Sequence, residues 1–542
     1  MNHTRFYGGT PALALMLCCL TLLISCDKQV KRSPISFPKT DLAAVPLLPK
    51  PIKVTPNSKA FGLDRFSAIF YPKGMTGLGE VSDFLAAKLK NRTGLSLPVN
   101  PTREDTLYQG IHLQETSDLK GEAYRLMIRP DSVLLTAGTP EGAFRGVQTL
   151  RQLLPETPND TLAEHPVWVI PGGAIEDAPR YAYRGAMLDV ARHFFPVDAV
   201  KKYLDQLAYY KMNFLHLHLT DDQGWRIEIK SWPELTATGG QTEVGGGPGG
   251  FYSQQEYREL VAYARERFIT IVPEVDMPGH TNAASVAYPI LNGNGKTPKL
   301  YTGTRVGFST WDTRKDTVYS FIDDVVREIT SLSPGPYFHI GGDESHVTKP
   351  EDYRYFIERV VPIVRKYGKT PIGWDEVATA NLDDKVVAQF WSDEGNAEKA
   401  VIQGMKVLMS PAKKAYLDMQ YDSISRFGLH WAAYIPVDTA YNWSLSSYSE
   451  KIPEEQILGI EAPLWSETIS NTGELEYLAF PRLPGYAELG WSAPAEPSWE
   501  EYRQRLAHQL GYFQRMDMKF YPSDRVPWNV SDSSLPWQED QK

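Results

Sequence analysis

Cysteine is almost missing. The chain of 542 residues holds three, Cys18, Cys19 and Cys26, and everything after position 26 can form neither a disulfide nor a thiolate metal site. Long apolar stretches are equally scarce: the run from Leu13 to Ile24 is too short to span a bilayer. An excess of positive charge is lacking too. Lys and Arg number 56 against 66 Asp and Glu, and a net charge of −10 argues against nucleic acid as the main partner. The glycine-rich run GGQTEVGGGPGG (239–250) has no Lys-Ser/Thr ending, so it is no phosphate loop and reads as a flexible loop. What the chain has in quantity is aromatic surface. Its 13 Trp, 29 Tyr and 21 Phe suit either large cores or contact with flat apolar ligand faces such as sugar rings. At 42% hydrophobic and 23% charged, the composition is that of a folded chain with sizeable cores, not of a disordered or fibrous one.

The N-terminus reads as a targeting segment: Arg5, then the apolar run, then LISC, Leu23 to Cys26. This ending is similar to the bacterial lipobox, which implies that residues 1–25 are a lipoprotein signal peptide and that Cys26 is lipidated; an ordinary secretory signal is the alternative. The expected location is the bacterial cell envelope, with attachment to a membrane by lipid and not by a spanning helix. Residues 26–50, rich in Pro, Lys and Ser and without period, are expected to be a tether. Residues 51–178 read as a small α+β domain. Val81 to Gly94 and Thr139 to Leu154 have helical spacing, and Tyr124 to Gly138 reads as two strands around a Pro-Asp turn.

From 179 to 525 short apolar strands alternate with longer helices. Strands are expected at 184–190, 213–219, 268–276, 337–344, 371–376, 386–391, 406–410 and 458–465, with helices such as 197–211 and 253–267 between most of them. Eight strand–helix units fit a (β/α)8 TIM barrel; a doubly wound sheet is the alternative, but no Gly-rich dinucleotide turn follows the first strand. Residues 526–542 are expected to be a C-terminal tail. Polar and aromatic residues crowd the C-terminal ends of these strands: Asp189, Asp221, Asp276, Asp343, Glu344, Trp374, Trp391 and Trp465. In a barrel that rim is the active-site face.

HIGGDES (339–345) is the sharpest motif. Two glycines allow close backbone approach, and the adjacent carboxyls of Asp343 and Glu344 repel, so one of them holds a proton near neutral pH and can act as a general acid. The pair could equally ligate a divalent cation. Consecutive residues can hardly flank a glycosidic bond from opposite sides, as a two-carboxylate mechanism requires. Arg192 in LDVARHF could fork onto hydroxyls or form a structural ion pair. His216 and His218 in HLHLTDDQGW share a strand face and could be metal ligands or packed, hydrogen-bonded histidines. Asp276 and His280 in PEVDMPGH could tune an acid or cap a loop. Trp374, Trp391 and Trp465 could converge as an apolar box, with Tyr416, Asp418 and Glu467 adding polar contacts.

Taken together, LDVARHF, HLHLTDDQGWR, PEVDMPGH, HIGGDE, GWDE, YLD and WSE, in this order, resemble glycoside hydrolase family 20, the β-N-acetylhexosaminidases, and AYRLMI and GVQTLRQLL resemble that family's N-terminal domain. The resemblance implies exo-acting, retaining release of terminal β-linked N-acetylglucosamine or N-acetylgalactosamine, with the substrate's own acetamido oxygen as nucleophile, an oxazolinium intermediate, and no cofactor or metal. It implies that Glu344 is the general acid and base and that Asp343 orients the acetamido group. It further implies Tyr416 at the acetamido oxygen, Trp374, Trp391 and Trp465 around its methyl, Arg192 at the C3 and C4 hydroxyls, Asp418 and Glu467 on the C4 and C6 side, and Asp221 with His280 tuning Glu344. Lys413 and Lys414 could favour a 6-sulfated sugar or simply be solvated. The competing readings are a metal-dependent barrel hydrolase built on His216 and His218, and a lipid-anchored glycan-binding protein without turnover.

Overall fold

The computed structural model describes residues 37–537 except 75, 103–108, 294, 296, 297, 493–496 and 529–534. The expected signal segment, Cys26 and the first part of the expected tether lie outside the described residues.

Seven strands form a mixed sheet: β1 (Lys53–Leu63), β2 (Ile69–Pro72), β3 (Val99–Thr102), β4 (Gly110–Glu115), β5 (Tyr124–Ile128), β6 (Ser132–Ala137) and β7 (Trp168–Asp177), in the order β1-β7-β5-β6-β4-β2-β3. Helices α1 (Thr76–Thr93) and α2 (Pro140–Gln152) pack against it and against each other. The start of α2 follows from local chemistry: Thr139 accepts the Gly142 N–H and Pro140 supplies a preset first residue. Its apolar stripe of Ala143, Phe144, Val147 and Leu150 is fully buried.

The eight strands expected from the apolar runs are all present and close into a parallel barrel: β8 (Tyr183–Asp189), β9 (Phe214–His218), β10 (Thr270–Glu274), β11 (Tyr337–His339), β12 (Thr370–Trp374), β13 (Val387–Phe390), β14 (Lys406–Met409) and β15 (Ile457–Leu464). Both faces of each strand are covered, which is why the sequence shows unbroken apolar runs and not alternation. Outside lie amphipathic helices such as Val197–Tyr209, Gln254–Arg265, Asp316–Leu332 and Pro350–Lys366. The ring of helices is uneven: between β12 and β13 there is only a five-residue 3-10 turn, Asp375–Thr379. Inside, the barrel is layered. Tyr183, Val272, Ile372, Val387 and Leu408 form an apolar plug at the lower end, with Phe214 stacked on Tyr183. Above it sits a fully buried polar layer of His216, Glu274, His339, Gln389 and Glu461.

The mouths of the strands face away from the N-terminal sheet, and the opposite end of the barrel rests on it through buried charge. Glu122 pairs with Arg145 (2.7 Å) and with Arg184, and accepts from Asn213 (3.3 Å). Arg145 also donates to the Phe268 carbonyl (2.7 Å). Lys211 donates to Asp177 (2.9 Å) and to the Tyr124 hydroxyl (2.8 Å), and Asp177 accepts the Trp491 indole N–H as well.

Two expectations are corrected here. Residues 41–50 do not behave as a free tether: Leu42, Leu47 and Leu48 are buried, the Leu48 backbone exchanges hydrogen bonds with the Gln152 amide, and the Lys50 N–H donates to Glu488. Isolated leucines without period hold this segment, so no composition signal marks it. The expected tail from 526 also packs, since Val526 and Leu535 are buried and Trp537 stacks edge-on with Phe427 and Tyr477.

Removing Glu122 takes its carboxylate from buried Arg184 and leaves buried Arg145 with Glu141 at 3.2 Å, so Glu122→Ala is expected to cost roughly 3–5 kcal/mol of stability. Thermal and urea unfolding would read this directly; an unchanged midpoint would contradict the role given to this cluster.

Candidate active site

The pocket is assembled from loops that leave the C-terminal ends of the barrel strands. After β8, Asp189 folds the chain back: its carboxylate accepts the N–H groups of Ala191 (2.8 Å), Arg192 (3.0 Å) and Ser466 (3.0 Å), which joins the β8 and β15 loops. This turns Arg192 inward. Its guanidinium meets Asp221 at 2.9 Å, lies 3.7 Å from Glu467 and sits 4.6 Å from the centre of a Trp465 ring. Asp221 in turn faces His218 Nε2 (2.9 Å) and His280 Nδ1 (3.2 Å). Burial opposes its charge, but Arg192 and His280 hold the Asp221 carboxyl well below its ordinary range.

The HIGGDE loop needs its glycines. Gly341 and Gly342 have φ of +64° and +102°, and a Cβ on Gly341 would lie 1.8 Å from Asp276 Oδ1. Asp276 accepts the Gly342 N–H (3.0 Å), and the Tyr353 hydroxyl donates to the Gly342 carbonyl (2.8 Å). His280 and Glu344 themselves adopt left-handed backbone, with φ of 55° and 40°. Such conformations in non-glycine residues store strain that the surrounding structure must impose. The result is that His280 Nε2 lies 3.7 Å from Asp343 Oδ2 and 3.9 Å from Glu344 Oε2. Burial and the neighbouring Asp343 push the Glu344 carboxyl up, which favours its protonated form. Burial alone would lower His280; Asp221, Asp343 and Asp276 outweigh it and hold the ring protonated.

Asp343 and Glu344 open onto a pocket of about 300 Å³ walled by Arg192, Trp391, Tyr416, Trp465, Asp418 and Glu467. Sequence reasoning missed four further lining residues, Thr304, Val306, Leu429 and Trp431. Trp431 is 56% exposed at the mouth, edge-on to Trp391 and Tyr416 at 6.0 Å. It lies in an irregular segment whose pattern carries no signal. Trp374, expected as a wall, is instead beneath one: it is 1% exposed, 5.6 Å from Trp465, and its indole N–H donates to Glu274 (3.1 Å). Lys413 and Lys414 do not line the pocket. The glycine-rich run is no loose flap, because buried Arg226 donates to the carbonyls of Gly240, Thr242 and Gly250.

Polar atoms around the pocket are left without partners although they are buried: Arg192 Nε, His280 Nε2, Asp343 Oδ1, Asp418 Oδ1 and Glu467 Oε2. Buried polar groups are nearly always paired, so this set marks a place where a polyhydroxylated ligand completes the hydrogen bonds. Burial pushes the carboxyls of Asp418 and Glu467 up, the former further raised by the latter. Both are thus suited to exchange hydrogen bonds with hydroxyls and poorly suited to attack as anions. Of the four buried trios with the spacing of metal ligands among the described residues, two hold His216 or His218: His216–Glu274–His339 and His218–Asp221–Asp276. In both, the histidines already face carboxylate oxygens at hydrogen-bonding distance.

Comparison with known proteins agrees with this geometry. The family profile described as glycosyl hydrolase family 20, catalytic domain, matches residues 181–353 and 347–494, and that of domain 2 of the same family matches 44–178. The chain is 40% identical over 421 residues to a β-N-acetylhexosaminidase of Cellulomonas fimi, covering 77% of this chain and 84% of that one. It is similar in structure to the family 20 β-N-acetylhexosaminidase of Streptomyces coelicolor A3(2), with a TM-score of 0.85 and 45% identity over 89% of this chain and 99% of that one. The Streptomyces plicatus N-acetyl-β-hexosaminidase, solved with thio-NAglucal, gives a TM-score of 0.85 and 46% identity over 92% of this chain and all of that one. Barrel, acid pair and polar pocket thus define a glycosidase. The chain belongs to glycoside hydrolase family 20.

Gly341→Ala is expected to abolish turnover, because the added methyl displaces Asp276 and the loop carrying both acids, and to cost about 1–2 kcal/mol for the left-handed backbone alone. Steady-state rates and thermal unfolding of the variant test both parts.

Proposed function

We propose that the chain is a β-N-acetylhexosaminidase that removes a terminal β-linked N-acetylglucosamine from the non-reducing end of a glycan by substrate-assisted catalysis. The observation that carries this reading is the arrangement of carboxyls: the two acids poised for proton chemistry are adjacent in one loop, and the other two in the pocket are buried toward their neutral forms. A conventional pair flanks the scissile bond from opposite faces, so here the nucleophile comes from the sugar.

In the first step Glu344 gives its proton to the glycosidic oxygen as the acetamido oxygen attacks C1. The C1–O bond breaks, the alcohol leaves and an oxazolinium ion forms. Asp343 accepts the acetamido N–H and balances the positive charge developing on it. Tyr416 donates to the acetamido oxygen, and Trp391 and Trp465, with Trp374 beneath, enclose the methyl. Arg192 takes the C3 and C4 hydroxyls, and Asp418 and Glu467 the C4 and C6 side. In the second step Glu344, now a carboxylate, takes a proton from water. The water oxygen bonds to C1, the ring reopens to the acetamide, and the sugar leaves with retained configuration. Asp221 and His280 set the charge around Glu344 throughout. The motif at Leu23–Cys26 supports lipid attachment of the enzyme through Cys26 in a bacterial cell envelope. Among the described residues no helix is long and apolar enough to cross a membrane.

Glu344→Gln is expected to lower kcat on a nitrophenyl β-N-acetylglucosaminide by a factor on the order of 10²–10⁴ with little change in KM. A chelator leaves the wild-type rate unchanged; loss of activity would favour the metal-dependent reading. A thiazoline mimic of the cyclised intermediate inhibits far below the concentration at which free N-acetylglucosamine does, and equal potency contradicts substrate assistance. Because Glu344 must be protonated to start the reaction, kcat/KM falls as pH rises through its raised pKa. Asp343→Asn removes the adjacent negative charge, so the alkaline limb of the residual activity moves to lower pH. Cys26→Ser is expected to shift the enzyme from the membrane fraction to the soluble one.

A further inference from the structure

Glu274, the last residue of β10, takes no part in the steps above, yet its carboxylate lies at the centre of the barrel with no exposed surface. It pairs with His218 Nδ1, lies 3.0 Å from His216 Nε2 and 2.9 Å from His339 Nδ1, and accepts the Trp374 indole N–H at 3.1 Å. Below it, His216 Nδ1 meets Glu461 Oε1 at 2.9 Å, and Glu461 also accepts from the Tyr183 hydroxyl (2.6 Å) and the Gln389 amide (2.8 Å). Above it, His218 Nε2 meets Asp221 at 2.9 Å, and Asp221 meets Arg192 and His280.

An imidazole with a carboxylate at each nitrogen satisfies both only by donating from both, that is, as an imidazolium. His218 is hydrogen-bonded in that way, and His216 has Glu461 at Nδ1 and Glu274 3.0 Å from Nε2, close but without the alignment of a hydrogen bond. The line therefore alternates in sign from the barrel floor to its mouth: Glu461, His216, Glu274, His218, Asp221, His280, Asp343. Burial works against every charge in it, and the neighbours outweigh burial. They hold His218 well above its ordinary range and His216 up to about 9. The groups facing His218 are Glu274, Asp221, Asp189 and Asp276, with the Trp465 ring edge-on at 4.9 Å. Those facing His216 are Glu274, Glu461 and the stacked ring of His339 at 4.5 Å. His339 stands apart: the Gly341 N–H points at its Nδ1 (3.0 Å), and burial holds its pKa down.

We propose that Glu274 is a positioning residue for the catalytic acids, holding His218 as an imidazolium so that Asp221 stays a fixed anion beneath Arg192 and His280. Glu274 acts through this line without touching substrate, and its indole partner ties the same carboxylate to the floor of the acetamido cage. The inference rests on the reading of Glu344 as the acid, and its test is chosen to fail separately. In Glu274→Gln the amide keeps the shape but removes the charge, so His218 becomes titratable in the working pH range. A new ionisation then appears in kcat, and each pH unit above it costs about tenfold, while KM stays near the wild-type value. In full-length protein labelled with 15N-histidine, two imidazolium rings are expected at neutral pH in the wild type and the loss of the His218 signal on raising pH in the variant. A uniform fall in rate with an unchanged pH profile, or a neutral His218 in the wild type, overturns the proposal without touching the role of Glu344. If Glu274→Gln does not fold, Glu461→Gln at the far end of the line supplies the test: the pKa of His216 drops below about 9 while His218 stays charged. An unmoved His216 overturns the alternating line.

Discussion

The carboxylate of Asp221 is the junction on which the site depends. It is buried, it receives Arg192, His218 and His280, and it sits where the polar interior of the barrel meets the pocket. A lone buried anion would be prohibitively costly; three cationic partners make it the stable state and fix where each of them points. Arg192 is thereby presented to the ligand, and His280 is turned toward both acids. The strained backbone at His280 and Glu344 is tolerated for the same reason, since the surrounding pairs over-determine it.

Much of this was legible in the chain. Most barrel strands are short apolar runs that end in or lead closely into an acid or a tryptophan, and that ordering follows from burial on both faces plus function at one rim. Arg192, Asp221, His280, Asp343, Glu344, Trp391, Tyr416, Asp418, Trp465 and Glu467 meet as their motifs suggest. The depth of the polar line was not legible. Glu274 sits in PEVDMPGH between a proline and a valine, and its partners come from β9, β11 and β12, so nothing local distinguishes it from a residue at the rim. Trp374 read as a wall because a strand-end residue one pleat lower has the same neighbours in sequence. Trp431 and the docked segment 41–50 belong to irregular chain, where single side chains make the contacts and no period announces them.

Among the described residues the N-terminal sheet contributes nothing to the pocket lining, but it closes the opposite end of the barrel. Arg145, Arg184 and Lys211 with Glu122 and Asp177 form a buried ionic seam beside apolar contacts such as Phe144 with Phe268. Such a seam fixes relative orientation more strictly than interchangeable apolar contacts do, because each charge tolerates few partners. A barrel closed at its base by directional contacts and plugged by the Tyr183 layer opens at the loops that carry the pocket.

The missing helix after β12 has its own consequence. Asp375, the residue that follows Trp374, accepts the backbone N–H groups of Trp391, Ser392 and Asp393 and the side-chain amide of Asn396. With so short a crossover, the tryptophan at the bottom of the cage and the one at its side are bolted to the same carboxylate and move as one piece. The cage cannot widen by letting a single wall swing.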